Sequence, residues 1–199
     1  MPKVSERYRD ARREQIMDAA RRCFLRNGFR DTSMTDLFAE SGLSSGAFYR
    51  YFASKDELII AIAQDNFRDV AAMIHALAQE AEGSLGDALA TTVDVITAKQ
   101  AENGLVGIAV QVWAEALRNP QLAAEVTALL EELHGEVADM VRRHQAAGTL
   151  PPGVSAEALS KILLGIIPGY IFQLAMLGPD TATGVSEALR ALWPKQQPQ

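Results

Sequence analysis

The sequence predicts an all-α protein: an N-terminal three-helix domain with a helix-turn-helix, followed by a larger C-terminal helical domain. Three observations carry that prediction. Apolar residues recur at helical spacing almost throughout, with no alternating strand pattern and no βαβ rhythm. Start and stop signals, a hydroxyl or Asn before each apolar run and Gly or Pro after it, divide the 199 residues into helices. Residues 32–58, TSMTDLFAESGLSSGAFYRYFASKDEL, read as two short helices around a tight turn, with hydroxyls and aromatics gathered on the second. Such a pair suits insertion into the major groove of DNA better than it suits catalysis.

The elements follow in order. Ala11, Ile16, Ala19, Ala20, Cys23, Phe24 and Leu25 define a first helix, and Asn27-Gly28 stops it. Ser33 with Asp36 is a capping-box variant that starts a helix near Met34, with Leu37 and Phe38 as its apolar face. Ser41-Gly42 ends it, because glycine tolerates the left-handed backbone of a helix end. Leu43 plugs the core at the turn, and Ser44 or Ser45 caps a helix over residues 45–51. Ser54 with Glu57 opens the next helix, from Lys55 to residue 82.

After Gly83, Ser84 with Asp87 caps a helix that runs to Asn103-Gly104. Another covers 105–118, before Asn119-Pro120, and a long one covers 121–147, closed by Gly148 and the turn Pro151-Pro152-Gly153. Ser155 caps a helix to Leu177, stopped by Gly178-Pro179. A last helix takes 181–193 and leaves a frayed tail from Pro194. The head is assigned to residues 1–55 and the body to residues 56–199, with the boundary inside the helix that starts at Lys55, which couples them mechanically.

Charge separates the two parts. The chain carries a net −6, which argues against a general nucleic-acid binder. Residues 1–55, however, hold eleven Lys/Arg against seven Asp/Glu, and residues 56–199 hold eight against eighteen. A basic head on an acidic body implies that only the head approaches phosphate.

Catalytic and metal readings find little support. Gly42-Leu43-Ser44-Ser45-Gly46 spells the G-x-S-x-G of a hydrolase nucleophile elbow, but that elbow follows a strand and this segment follows a helix. His75, His134 and His144 sit mid-helix without an evident partner. Glu131-Glu132-Leu133-His134 holds one Glu-x-x-His, whereas a carboxylate-bridged metal pair needs two and further glutamates. The single cysteine, Cys23, excludes an internal disulfide and cysteine-based zinc clusters, and its apolar neighbours make it a buried structural thiol. No enzyme activity, cofactor or metal is therefore expected. One cysteine and no N-terminal export signal fit the cytoplasm.

The most apolar segment, ILLGIIPGYIFQLAML at 162–177, has sixteen residues and contains Pro168 and Gln173, where a membrane span needs about 20. No membrane partner is expected. Its apolar residues run all round the helix, which implies burial on more than one side, against the body and against a second copy. Val185, Leu189, Leu192 and Trp193 extend that surface.

Ile16, Ala19, Ala20, Phe24, Gly28, Phe29, Thr32, Ser33, Leu37, Ala39, Gly42, Leu43, Ser44, Gly46, Phe48, Tyr49, Tyr51, Phe52, Lys55 and Leu58 stand in one register. In that register the first 60 residues resemble the TetR family of bacterial transcriptional regulators. Phe38 and Ser41 depart from the family, which more often has Ile and Ala there. The resemblance implies a homodimer through the last two long helices, a small-molecule pocket between body helices whose occupancy changes head separation, and repression as the usual mode.

Site residues follow from position. Ser44, Ser45 and Ala47 lie at the start of the second helix, where base edges are usually reached, and Gly46 lets the backbone come close. Tyr49 and Tyr51 present hydroxyls, Tyr49 also a face for a thymine methyl. Lys55 begins its helix, where ammonium and helix terminus both favour phosphate. Thr32, Ser33 and Thr35 are phosphate contacts from the preceding helix, with Ser33 and Ser44 also serving as caps. Phe48 and Phe52 point inward. In the body, Phe67, Ile74, Val93, Ile96, Val110, Gln111, Trp113, Tyr170, Phe172, Gln173 and Met176 are candidates to line the effector site, and Gln111 and Gln173 stand out as amides on apolar stretches. The composition favours an apolar or aromatic effector. Two heads about 34–36 Å apart read half-sites one helical turn apart, hence a palindromic double-stranded operator. The competing reading is a helical small-molecule-binding protein or enzyme whose helix-turn-helix is only structural.

Overall fold

The computed structural model describes residues 6–79 and 84–193, and all regular structure among them is helical. The chain forms two compact units, Met1–Asn66 and Phe67–Gln199. The division falls inside one helix, beyond position 55 where the sequence reading drew it.

The first unit contains α1 (Glu6–Asp31), α2 (Met34–Ser41), α3 (Ser45–Phe48) and the opening turns of α4 (Lys55–Gln79). The helical spacing of Ile16, Ala19, Ala20, Cys23 and Phe24 puts them on one face, and all are buried. Gly28 breaks α1 with φ 79° and ψ 166°, a backbone that favours glycine, and the break lets Phe29 turn edge-on to Phe24 with ring centroids 4.8 Å apart. Ser33 caps α2 as its spacing predicts: its Oγ accepts from the Asp36 N–H at 3.2 Å, and the Asp36 carboxylate accepts from the Ser33 N–H at 2.8 Å. At α4 the box is altered. The Ser54 Oγ accepts from the Glu57 N–H at 3.1 Å, while the Glu57 carboxylate takes the Ala53 N–H at 2.7 Å.

The second helix of the pair is shorter than 45–51. It is a single turn, and residues 49–51 leave it as a turn in which the N–H groups of Tyr51 and Phe52 both reach the Phe48 carbonyl, at 2.9 and 3.3 Å. Phe48 and Phe52 are fully buried with Leu37 and Leu58, so both rings are core.

The second unit continues α4 and adds α5 (Leu85–Asn103), α6 (Leu105–Ala116), α7 (Pro120–Ala146), α8 (Ala156–Leu177), a 3-10 turn at Pro179–Ala182 and α9 (Val185–Leu192). The expected single helix over 181–193 is divided, because Gly184 adopts φ 74° between the 3-10 turn and α9. The expected extension of α4 to residue 82, the stop at Gly83 and the tail from Pro194 lie outside the described residues. α8 packs against α6 and α7, and α5 against α9. Val93, Ile96, Val106, Val141, Leu163 and Leu174 are among the buried residues that join them. α8 is long and apolar enough to cross a membrane by length and composition, yet one side of it supplies this core. Pro168 lies inside α8 without ending it.

Two histidines that read as unpartnered do have partners. His75 Nδ1 lies 2.9 Å from a Glu136 carboxylate oxygen, joining α4 to α7, and His144 Nδ1 lies 2.9 Å from the Thr149 hydroxyl. Sequence spacing misses both, because one pair forms between distant helices and the other across a helix end. Burial pushes the His144 pKa down.

Candidate nucleic-acid interface

The exposed edge of the helix-turn-helix rests on the aromatic core beneath it. Ser44 caps α3, its Oγ accepting the Ala47 N–H at 3.3 Å. Phe48 points down into the core, so Ser44, Ser45 and Gly46 are left exposed at the start of α3 and Ala47 half-buried. A Cβ on Gly46 would meet nothing within 4 Å, so the fold itself does not require glycine there. The start of α3 therefore presents bare backbone to open space. Tyr49 is 49% exposed, and its ring stands edge-on to Phe38 at 5.6 Å and to Phe48 at 6.5 Å. That packing aims the ring while the face stays open.

The remaining predicted contacts divide. Ser33, the cap of α2, and Thr35 within it are exposed, and Tyr51 is half-buried. Thr32 is a correction: it is 1% exposed, and its hydroxyl donates to the Gly28 carbonyl at 2.7 Å, closing the break in α1. It has no face to offer phosphate. The Lys55 ammonium donates to the carbonyls of Arg30 and Thr32, at 3.1 and 3.0 Å, which leaves one of its three protons for an outside acceptor.

The basic charge of the head is unevenly spent. Arg21 pairs with Asp18 and Asp65, while Arg22 and Arg26 both hold Glu40. Hydrogen bonds from Arg22 and Arg26 hold the Glu40 carboxyl below its ordinary range. Burial first, and then the Glu40 charge, raise the pKa of Cys23, which is a free, buried thiol. Sequence reasoning counted arginines without placing them, and so passed over Arg9, Arg13 and Arg50, which share one cleft with Tyr51.

The body holds an apolar cavity of about 40 Å³, room for a few waters, whose walls include Ile74, Leu85, Leu89, Thr92, Met140 and Leu163. Of the candidate effector residues, Ile74 lines it. Val93, Ile96 and Tyr170 are buried in the core, with the Tyr170 hydroxyl 2.6 Å from that of Thr97. Phe67, Val110, Gln111 and Trp113 are half-buried. Phe172, Gln173 and Met176 lie on the outer face of α8, exposed together with Ile162 and Leu177. Among the described residues, no group of three or more His, Cys, Asp or Glu side chains is placed to hold a metal ion.

A capped two-helix motif with an exposed polar edge, carried on a helical body, defines a helix-turn-helix transcriptional regulator. Residues 16–62 match the family model described as bacterial regulatory proteins, tetR family, and residues 86–192 match that of the BetI-type transcriptional repressor, C-terminal. The chain belongs to the TetR family, as a transcriptional repressor with a BetI-type C-terminal domain. It is 30% identical to the HTH-type transcriptional repressor Rv1474c of Mycobacterium tuberculosis, over 88% of each chain. It is 27% identical to the HTH-type transcriptional regulator UidR of Escherichia coli, over 90% of each. Among solved structures it is similar to Salmonella enterica GusR, with a TM-score of 0.75 at 27% identity, covering 95% of this chain and 97% of that one.

Proposed function

We propose that the protein is a cytoplasmic homodimeric repressor that holds a palindromic operator through two copies of α3 and is released by an apolar or aromatic small molecule. The observation that carries the DNA-reading part is the edge formed by Ser44, Ser45, Gly46 and Tyr49. It is polar, it starts a helix, and it stands exposed even though the Ser44 hydroxyl caps α3 and the Tyr49 ring packs on Phe38 and Phe48. The competing reading of a merely structural motif gives this exposed edge no role.

Dimerisation is supported by the outer face of α8. Ile162, Phe172, Met176 and Leu177 are each more than half exposed, and Leu192 of α9 is as well. Gly165 and Gly169 on the same helix have open space where a Cβ would stand. An apolar face of this kind covers itself by two-fold pairing with a second copy. This reading moves Phe172, Gln173 and Met176 from the effector site to the dimer face.

Effector binding is supported by the apolar cavity between α4, α5, α7 and α8. A ligand there enlarges a space lined by Ile74, Leu89 and Met140. α4 supplies residues to both units, so it is the element through which occupancy reaches the head. Release of DNA follows if the ligand binds the DNA-free arrangement better, by about 1–3 kcal/mol for a 5–150-fold change in affinity.

Anisotropy titration of the purified protein on duplex from its own upstream region, against a scrambled duplex, tests this reading. A preference of about a thousandfold or more at physiological salt is expected. Equal affinity for the two duplexes overturns it.

A further inference from the structure

Four arginines of the head bond to side-chain acceptors within it, and Arg50 donates to the Gly46 backbone carbonyl at 3.4 Å. Arg21 pairs with Asp18 and Asp65, Arg22 and Arg26 with Glu40, and Arg12 donates to Tyr8 and Gln15. Arg9, Arg13 and Arg50 form no ion pair among the described residues. The fold nevertheless brings these three together, with Asp10 and Tyr51, around an open cleft of about 370 Å³. Arg9 and Arg13 are one helical turn apart on α1, and Arg50 and Tyr51 lie in the turn that follows α3.

Three guanidiniums against the one carboxylate of Asp10 leave an excess of two positive charges on a single cleft. Like charges so gathered repel, and the contacts that offset this are the Arg50 bond to the Gly46 carbonyl at 3.4 Å and the stacking of Arg13 on Phe52. The Arg13 guanidinium sits 4.5 Å above the Phe52 ring, so its position is set by the buried aromatic core. The planar fork of a guanidinium matches two oxygens of a phosphate, and the Tyr51 hydroxyl adds a neutral donor. Arg50 comes after Tyr49 in the turn that leaves α3, which puts the cleft beside the reading edge.

We propose that this cleft is a phosphate clamp: Arg9, Arg13, Arg50 and Tyr51 together hold one phosphodiester of the DNA backbone beside the bases faced by α3. The proposal rests on the DNA-binding reading above and adds the residues that fix its register. Phosphate contacts position a protein on duplex without reading sequence. The clamp therefore ties α1 to the DNA and keeps α3 from sliding or rolling in the groove. Asp10 opposes it and moderates sequence-independent binding.

The test is a salt series on two duplexes, one from the protein's own upstream region and one random, for wild type, Arg9→Gln/Arg50→Gln, Asp10→Asn and, as a paired-arginine control, Arg22→Gln. Arg9 and Arg50 are chosen because they do not stack on Phe52, and circular dichroism melts confirm that the variants fold. The double variant is expected to weaken binding to both duplexes by the same factor, about tenfold or more. It should also flatten the slope of log affinity against log salt by about 0.9, the loss of one phosphate contact. Asp10→Asn is expected to tighten both, and Arg22→Gln to keep the wild-type slope. A folded double variant with wild-type slope and affinity overturns the clamp, as does a loss confined to the upstream duplex. If wild type itself shows no preference between the duplexes, the regulator reading fails instead, and the slope on random duplex still decides the clamp.

Discussion

Lys55 is tied to Thr32: its ammonium donates to the Thr32 carbonyl at 3.0 Å, and to the Arg30 carbonyl beside it at 3.1 Å. The first residue of α4 thus fastens the end of α1 and the entry to α2, the platform on which α3 stands. Lys55→Met is expected to lower the stability of the first unit by about 1–2 kcal/mol through loss of charge-assisted hydrogen bonds. DNA binding should weaken on all sequences alike. A thermal melt at constant salt checks this, and an unchanged midpoint removes the fastening role.

Tyr49 is the side chain best placed to discriminate bases, because Phe38 and Phe48 fix its ring while its outer face stays open. Tyr49→Ala is expected to leave the melting midpoint within a few degrees of wild type and to cut discrimination between operator and single-base variants. The loss should be about 1–3 kcal/mol at the base pair it faces, or about 5–150-fold. Competition binding against a panel of single-base operator variants reads this out, and an equal loss on every variant reassigns Tyr49 to the backbone.

Gly86 lets α5 and α9 approach closely. A Cβ there would stand 2.5 Å from the Leu189 carbonyl oxygen and 2.7 Å from that of Trp193, backbone atoms that cannot rotate away. Gly86→Ala is expected to push α9 off α5 and to cost about 1–3 kcal/mol despite alanine's better helix propensity. Chemical denaturation shows this as an earlier midpoint, and a midpoint equal to or later than wild type contradicts the packing described.

Glu157 supplies a pH dependence. The Ser155 hydroxyl, its own backbone N–H and Arg142 hold its carboxyl down, to about 2 from an ordinary 4.5. A carboxylate with a lowered folded-state pKa stabilises above the ordinary value, and that contribution disappears as pH falls through the folded-state value. The melting difference between wild type and Glu157→Gln is therefore expected to be constant above pH 5 and to shrink as pH falls from about 4.5 toward 2. A gap that does not change over that window shows that the carboxyl is not held.

Much of this architecture was legible because its signals are local. The capping boxes at Ser33–Asp36 and Ser84–Asp87 form with the spacing that predicts them, and Gly28, Gly42 and Gly104 break or end helices with positive φ. What escaped depends on tertiary packing. α3 stops at Phe48 without a glycine, because the chain turns to bury Phe48 and Phe52 together. Thr32 reads as a polar contact until the break at Gly28 brings a carbonyl to its hydroxyl. The apolar period that identifies core cannot separate Val93, which is core, from Leu89, which lines the cavity, since both belong to the same face of α5. Nor can it tell that Phe172 and Met176 face outward on a helix apolar all round. The arginine cleft escaped for a plainer reason: α1 and the turn after α3 meet only in the fold.

The central claim, a homodimer reading two half-sites through α3, is tested most directly by helical phasing. Inserting about five base pairs, half a helical turn, between the operator half-sites turns one of them to the opposite face of the duplex. The account predicts that this insertion lowers affinity by on the order of a hundredfold or more, to near the level of a single half-site, and that an insertion of about ten base pairs recovers part of it. Affinity indifferent to both insertions would contradict it.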